Sequence, residues 1–445
     1  HEIVRLEQNY RSTGNILDAA NALIANNSAR LGKKLWTDGS RGEAIRLYSG
    51  FNDIDEARYC VERLRDWQRA GNRYDESAIL YRTSAQSRVL EDALRQADVP
   101  YRVHGGFKFY ERAEVKDALA YLRLANFRGD DAAFERVVNL PARGIGNRTL
   151  DDVRQTARLE RITLWEAARR LIDQRELAAR ATAALGQFLS LIDELAVEID
   201  GLGLDSTIEL VVERSGLVDH YKKEKGERGL DRIENLGELV TAARDFEPRE
   251  EEIELPLISS FLAHAALEAG EGQAGAFEDC VQLMTLHSAK GLEFANVFLV
   301  GMEEGLFPHQ RSAGDSNQLE EERRLCYVGI TRAMKHLTLT YAESRRLHGT
   351  DYYPQPSRFL RELPRELVDE VRLGGGRQAA NPRSAVLEDT TGYPYKLGQR
   401  VVHRTFGEGV VLHMEGRGAH TRVQINFAGS GVKWLVAAYA GLETV

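Results

Sequence analysis

Three segments carry the side chains best suited to chemistry on a phosphate: LEQNYRS (6–12), LMTLHSAKGLEF (283–294) and EEERRLCYVGITRA (320–333). Arg11 follows a short strand-like stretch, and Arg332 stands at the end of a segment with the residue pattern of a helix. Arginine keeps its charge and offers a planar fork that grips phosphate oxygens in pairs. Phosphoryl transfer asks a protein for positioning and charge stabilisation, so cations aimed at a terminal phosphate are the groups it needs. An arbitrary arginine is more often solvated or ion-paired, and the function of these two rests on their context. A fourth stretch, PARGIGNRTLDD (141–152), sets Gly144-Ile145-Gly146 between Arg143 and Arg148, before a helix expected to start near Thr149. Such a turn can face its amide hydrogens toward a phosphate, with the helix adding its positive end. Taken alone it is more often a connector.

The elements around these segments follow two periods. Ile3–Leu6, Ala44–Tyr48, Ser77–Tyr81 and Tyr101–Val103 read as strands. Between them, helix faces are marked by Ile16, Ala20, Leu23 and Ile24, by Ile54, Ala57, Val61, Leu64 and Trp67, and by Val89, Leu90 and Leu94. This alternation predicts an α/β fold with a parallel sheet covered on both faces. From about Phe107 to Phe277 the alternation stops, and runs such as Ala118–Phe127, Leu150–Ala157, Trp165–Ile172, Ala178–Ile199 and Ile258–Ala269 are helical. Strands return at Gln282–His287, Asn296–Val300 and His336–Thr340. The economical account is one α/β domain (1–106 and 277–370) interrupted by an all-helical insertion (107–276) large enough to be a domain of its own. Residues 371–392 are Gly-rich without periodicity and read as a flexible linker. Residues 393–445 hold short alternating strands between glycine turns, the pattern of a small β-barrel.

Composition narrows the function classes. The net charge of −9 argues against a uniformly basic DNA-coating protein but leaves local basic surfaces open. Between Pro394 and Val445, six Lys or Arg stand against three Glu, in contrast to the acidic whole. Cys60, Cys280 and Cys326 form no CxxC pair, which argues against a metal cluster or disulfide framework and fits a reducing cytoplasm. No apolar run approaches a membrane span, and the first residues do not form a signal peptide. The opening directly on a strand-like stretch suggests a retained portion of a longer polypeptide.

In order and in detail, the three segments closely resemble motifs IV, V and VI of the UvrD/PcrA/Rep family of superfamily-one helicases. LYRTSAQSRVLEDAL, KFYERAEVKDALAYLRL, GMEEGLFPH and YAESRRLHG extend the resemblance over nearly all of residues 1–370. It implies a RecA-like motor domain, a duplex-binding helical insertion, and a Tudor- or SH3-like terminal barrel. It also implies an ATP-dependent DNA helicase that moves 3′→5′ in DNA repair. Arg11 and Arg332 would touch the γ-phosphate, Tyr10 would stack on the base, and Glu293 would accept a ribose hydroxyl. Capping of a helix start is the plain alternative for Glu293. Thr285 and His287 would meet the single strand, and Arg143, Gly144, Ile145, Gly146 and Arg148 the duplex. A hairpin after motif VI would split the junction. The family expects tyrosine where His348 stands, which passes part of that task to Tyr352 or Tyr353.

What the 445 residues lack bears equally on activity. There is no GxxxxGK[ST] segment, and Gly32-Lys33-Lys34 lacks the loop and strand such a motif needs. No acidic run ends a strand to hold Mg²⁺. ATP with Mg²⁺ is the cofactor the resemblance implies, held mainly by an N-terminal motor domain of the same protein. The chain alone is therefore expected to be inactive. Other implied partners are single-stranded DNA, its junction with duplex, and RNA polymerase or repair proteins at the terminal barrel. Two other readings are a docking protein made from a helicase half and an AddA/RecB-type helicase–nuclease subunit. The absence of an acidic nuclease constellation disfavours the second of these.

Overall fold

The computed structural model describes residues 7–28, 35–224, 226–248, 255–270, 278–312, 314–347, 350–371, 395, 399–403, 407–415, 422–427, 431–436 and 442–444. The expected strand at Ile3–Leu6, His348 and residues 372–392 of the linker expected at 371–392 lie outside the described residues. The chain divides into two compact units. One comprises His1–Arg82, Ala289–Arg345 and Tyr353–Val445, and the other Thr83–Ser288 and Arg346–Tyr352.

Along the chain the first elements are α1 (Gly14–Ile24), β1 (Ile45–Asn52), α2 (Asp53–Arg69) and β2 (Ser77–Tyr81). They are followed by α3 (Ser87–Gln96) and β3 (Tyr101–Val103). Next come helices α4 (Ala113–Asn126), α5 (Asp131–Val137), α6 (Asn147–Glu160), α7 (Leu164–Asp173), α8 (Ala179–Glu198), α9 (Leu204–Arg214), α10 (Leu217–Lys222), α11 (Glu227–Asp245) and α12 (Leu257–Gly270). Then follow β4 (Val281–Thr285), β5 (Phe294–Leu299), α13 (Ser316–Ile330), β6 (Ala333–Leu347), β7 (Thr350–Tyr352), α14 (Arg358–Arg361) and β8 (Val368–Val371). The terminal strands are β9 (Arg400–His403), β10 (Gly407–Glu415), β11 (Arg422–Phe427), β12 (Gly431–Val436) and β13 (Glu443–Thr444).

In the first unit, β2, β5, β6, β1 and β8 pair in that order, every neighbour parallel. Val297 registers with Leu337, and Leu339 with Leu47. Strand β2 is buried along its whole length, as expected of a parallel strand covered on both faces. Helix α2 starts cleanly because the Asn52 side chain accepts from the Asp55 amide (2.8 Å). Three acidic residues in its first turn suit the positive helix end. Its buried Glu56 joins Glu303 around Arg345 at the far end of β6, an ion triad sealed inside this unit.

The second unit is built on one helical core in which Phe134 meets Trp165 and Phe188 edge-on. It also includes α3, β3 and β4, so the expected boundaries at 106/107 and 276/277 fall inside it. Buried polar contacts also tie these elements to the helices. Arg88 on α3 pairs with Glu238 and Asp245 of α11, and Arg112 donates to Asn235 (2.8 Å). Strands β3 and β4 pair in parallel, and β7 pairs with β6 as the expected hairpin. The terminal strands form a five-stranded antiparallel sheet in the order β12-β11-β10-β9-β13 around Val401, Val411, Val423, Ile425 and Phe427. Gly409 is required there, because a Cβ would lie 2.6 Å from both Ile425 and Phe427.

Candidate functional site

The turn that presents Arg11 is built by its neighbours. The Asn9 side-chain oxygen accepts from the amides of Arg11 and Ser12, both at 2.9 Å. The Ser12 hydroxyl donates to the Ala333 carbonyl (2.6 Å), which lays this turn against the start of β6. Arg332 immediately precedes β6, so the two arginines meet. The Arg11 guanidinium donates from Nε to Glu293 and from Nη1 to the Thr331 carbonyl (3.5 Å). Arg332 donates to the carbonyls of Val328 (3.1 Å) and Leu292 (2.8 Å) and to the Thr331 hydroxyl (3.3 Å). None of these three acceptors carries a charge. Burial and the neighbouring Arg11 guanidinium lower the Arg332 pKa, and Glu293 opposes them. Two cations thus share one carboxylate, and an anionic oxygen would supply the missing charge. That donor set fits a polyphosphate.

Glu293 stands directly before strand β5 and not before a helix, so the capping alternative is set aside. Tyr10 is 86% exposed, donates its hydroxyl to Gln8 (2.7 Å), and is no core residue. Among the described residues, no group of three or more His, Cys, Asp or Glu is placed to hold a metal ion. Likewise, no helix among them is long and apolar enough to cross a membrane.

Helix α13 aims Arg332, and consecutive residues clamp it. Glu322 accepts from Arg82 at 2.8–3.1 Å through both carboxylate oxygens and from the His309 amide (3.1 Å). Arg323 forks onto Glu362 (2.7 and 2.8 Å) and reaches Asn27 (2.6 Å). Adjacent helical residues point about 100° apart, so the two clamps fix the helix against rotation. Asp315 caps its start by accepting from the Asn317 amide (2.8 Å). The sequence reading missed these positioning residues, although the acidic-then-basic run EEERR was a signal. It also missed Asn9 and Ser12, although asparagine readily builds turns by accepting from amides that follow it.

The nucleic-acid candidates other than Tyr353 fall in the second unit. Strand β4 ends at Thr285, and His287 lies exposed in the following turn rather than at the strand end. The Thr285 hydroxyl sits 3.1 Å from that of Ser288 and accepts from the Ser288 amide (3.3 Å), so it builds the turn itself. In the Gly144-Ile145-Gly146 turn, Gly144 has φ +80° and Gly146 precedes α6, which begins at Asn147 rather than Thr149. Two placements there differ from expectation. Ile145 is buried, and its amide donates to Asn139, as does that of Arg143. The Arg143 guanidinium turns inward to the Tyr121 hydroxyl (2.6 Å) and the carbonyls of Val137, Pro141 and Ser215, lying over the Tyr121 and Phe188 rings. Packing at the base of the turn consumes these groups, leaving Gly144, Gly146 and Arg148 exposed. Tyr352 and Tyr353 are each 46% exposed.

Comparison with known proteins meets this arrangement from outside. Residues 4–344 match the UvrD-like helicase C-terminal domain, and residues 397–443 match the PcrA/UvrD tudor domain. Over its full length the chain is 60% identical to DNA helicase II of Escherichia coli and 52% identical to DNA helicase II of Haemophilus influenzae, covering 62% of each. It is 38% identical over 98% of its length to the ATP-dependent DNA helicase PcrA of Staphylococcus epidermidis, covering 61% of that protein. The chain therefore spans less than two thirds of the length of these curated relatives. With motif-bearing segments folded around one cationic cluster and a small antiparallel sheet at its end, the chain belongs to the UvrD-like helicase family as a C-terminal portion.

Proposed function

We propose that this chain is the C-terminal part of an ATP-dependent 3′→5′ DNA helicase or translocase acting in DNA repair, in the cytoplasm and at the nucleoid. The observation that carries the reading is the meeting of Arg11, Glu293 and Arg332 from three segments far apart in sequence. In this reading Arg11 and Arg332 neutralise charge developing on the γ-phosphate, Glu293 accepts a ribose hydroxyl, and Tyr10 stacks on the base. A Mg²⁺-bound triphosphate supplies the reacting bond, and its cradle, metal ligands and catalytic carboxylate come from an N-terminal motor domain. Thr285 and His287 meet the single strand. Gly144, Gly146 and Arg148 contact duplex phosphates without reading sequence. His348 and Tyr352 belong to the junction-splitting hairpin, and the terminal sheet docks RNA polymerase or repair proteins.

The test uses the complete polypeptide that contains this chain. Arg332→Ala is expected to cut DNA-stimulated ATP turnover by about 10³–10⁵, the range for a lost arginine finger, while leaving DNA affinity nearly intact. Turnover at the unaltered rate would remove the half-site reading.

A further inference from the structure

We infer that Phe107 is a base-stacking platform for single-stranded DNA, set beside the His287 turn. The inference rests on the proposed DNA track at Thr285 and His287 and adds a residue that the sequence motifs did not single out.

Strands β3 and β4 are parallel neighbours, with Tyr101 opposite Val281 and Val103 opposite Leu283, so both end at the same edge. In open parallel sheets, ligands gather at the carboxyl ends of the strands. The ladder continues one residue past β3, where the His104 amide donates to the Leu283 carbonyl (2.8 Å). The chain then turns at Gly105, with φ +72°, where a Cβ would lie 3.3 Å from the Ser288 hydroxyl. The loop His104–Phe107 therefore lies against the turn that carries His287. All four of its residues are exposed, Phe107 at 66%.

This ring is not a loose surface aromatic. The next residues plunge into the core, with Phe109 buried and its amide donating to Glu91 (3.1 Å). The Phe107 carbonyl accepts from Arg112 (3.4 Å). Both ends of the loop are thus anchored while the ring faces solvent. Its surroundings select the ligand. The loop brings an exposed His104 and a flat apolar group to a turn that carries His287 and the Thr285 and Ser288 hydroxyls, a mixed surface rather than the continuous apolar patch of a protein-docking face. A strand offering flat bases at intervals along a phosphate backbone matches that surface, since stacking accepts any base.

The test titrates the 445-residue chain at low salt with a fluorescein-labelled oligodeoxythymidine. Phe107→Ala should weaken binding about tenfold, within the range found for one lost stack. Phe107→Tyr should stay within about twofold of the parent, because a ring is retained. A strand of abasic deoxyribose phosphate, having no base to stack, should bind parent and Phe107→Ala alike. Phe107→Trp should gain a tryptophan emission component that oligodeoxythymidine quenches. Thermal melts establish that each variant is folded. If Phe107→Ala binds as the parent does while His287→Ala is weakened, the inference fails and the DNA track stands. If the parent does not bind the strand at all, both fall.

Discussion

Arg11 and Arg332 sit in one cluster yet are held differently, and the difference predicts how each behaves. Arg11 has a carboxylate partner in Glu293, whereas Arg332 donates only to neutral oxygens. Glu293→Gln would leave two neighbouring guanidinium groups with no direct carboxylate. The resulting gain in positive potential should raise affinity for a polyphosphate. Tripolyphosphate should therefore stabilise Glu293→Gln more than the parent, by on the order of 1 kcal/mol or about 2 °C in melting temperature. Equal shifts would show that Glu293 does not offset the cluster. At this scale sequence was a partial guide. The residue types of Arg11 and Arg332 suit phosphate chemistry, but only the resemblance gave Glu293 a role and brought the three distant segments together. The inward turn of Arg143 was illegible, because three of its four partners are backbone carbonyls and such acceptors exist everywhere.

Elements are where buried charge does the positioning. The Arg82–Glu322 pair is almost wholly buried, and neither ion has water to fall back on. Glu322→Leu should cost about 3–5 kcal/mol by removing the carboxylate from a buried guanidinium, whereas Arg82→Met with Glu322→Leu should recover most of that loss. Urea denaturation of the four proteins in the cycle measures this, and additive losses would mean the pair does not act as a unit. A second clamp gives a pH signature. Burial pushes the Glu304 carboxyl up, but hydrogen bonds from the Arg358 side chain and amide outweigh it and hold its pKa below the ordinary value. A lowered carboxyl contributes stability above its unfolded value, near 4.3, and loses it as pH falls through the folded value. The destabilisation of Glu304→Gln should therefore be full at pH 7 and shrink steadily below about pH 4. A gap in urea midpoint that does not change with pH would contradict this. The strands β2 and β5 were readable because parallel strands buried on both faces are continuous apolar runs. Strand β8 was not, since its four residues place Asp369 and Glu370 between two valines and pair on one side only, with β1.

Across the whole molecule, the change from alternating to all-helical sequence marked the insertion, but not what packs with it. Arg88 and Arg112 join α3 to α11 through buried polar groups, and no periodicity in sequence reveals such a bond. The same scale governs activity. The 445 residues contain the cationic cluster proposed here as one side of a nucleotide pocket and no GxxxxGK[ST] cradle, while their relatives extend over considerably more chain. Positioning and metal-assisted charge neutralisation dominate phosphoryl transfer, so two guanidinium groups without cradle or metal should not lower the barrier enough for turnover. The isolated chain, with ATP, Mg²⁺ and saturating single-stranded DNA, should release phosphate no faster than buffer does. Arg11→Ala with Arg332→Ala is the decisive control. Phosphate release unchanged by that double substitution would come from a contaminant, whereas release abolished by it would show that this chain completes a catalytic site unaided.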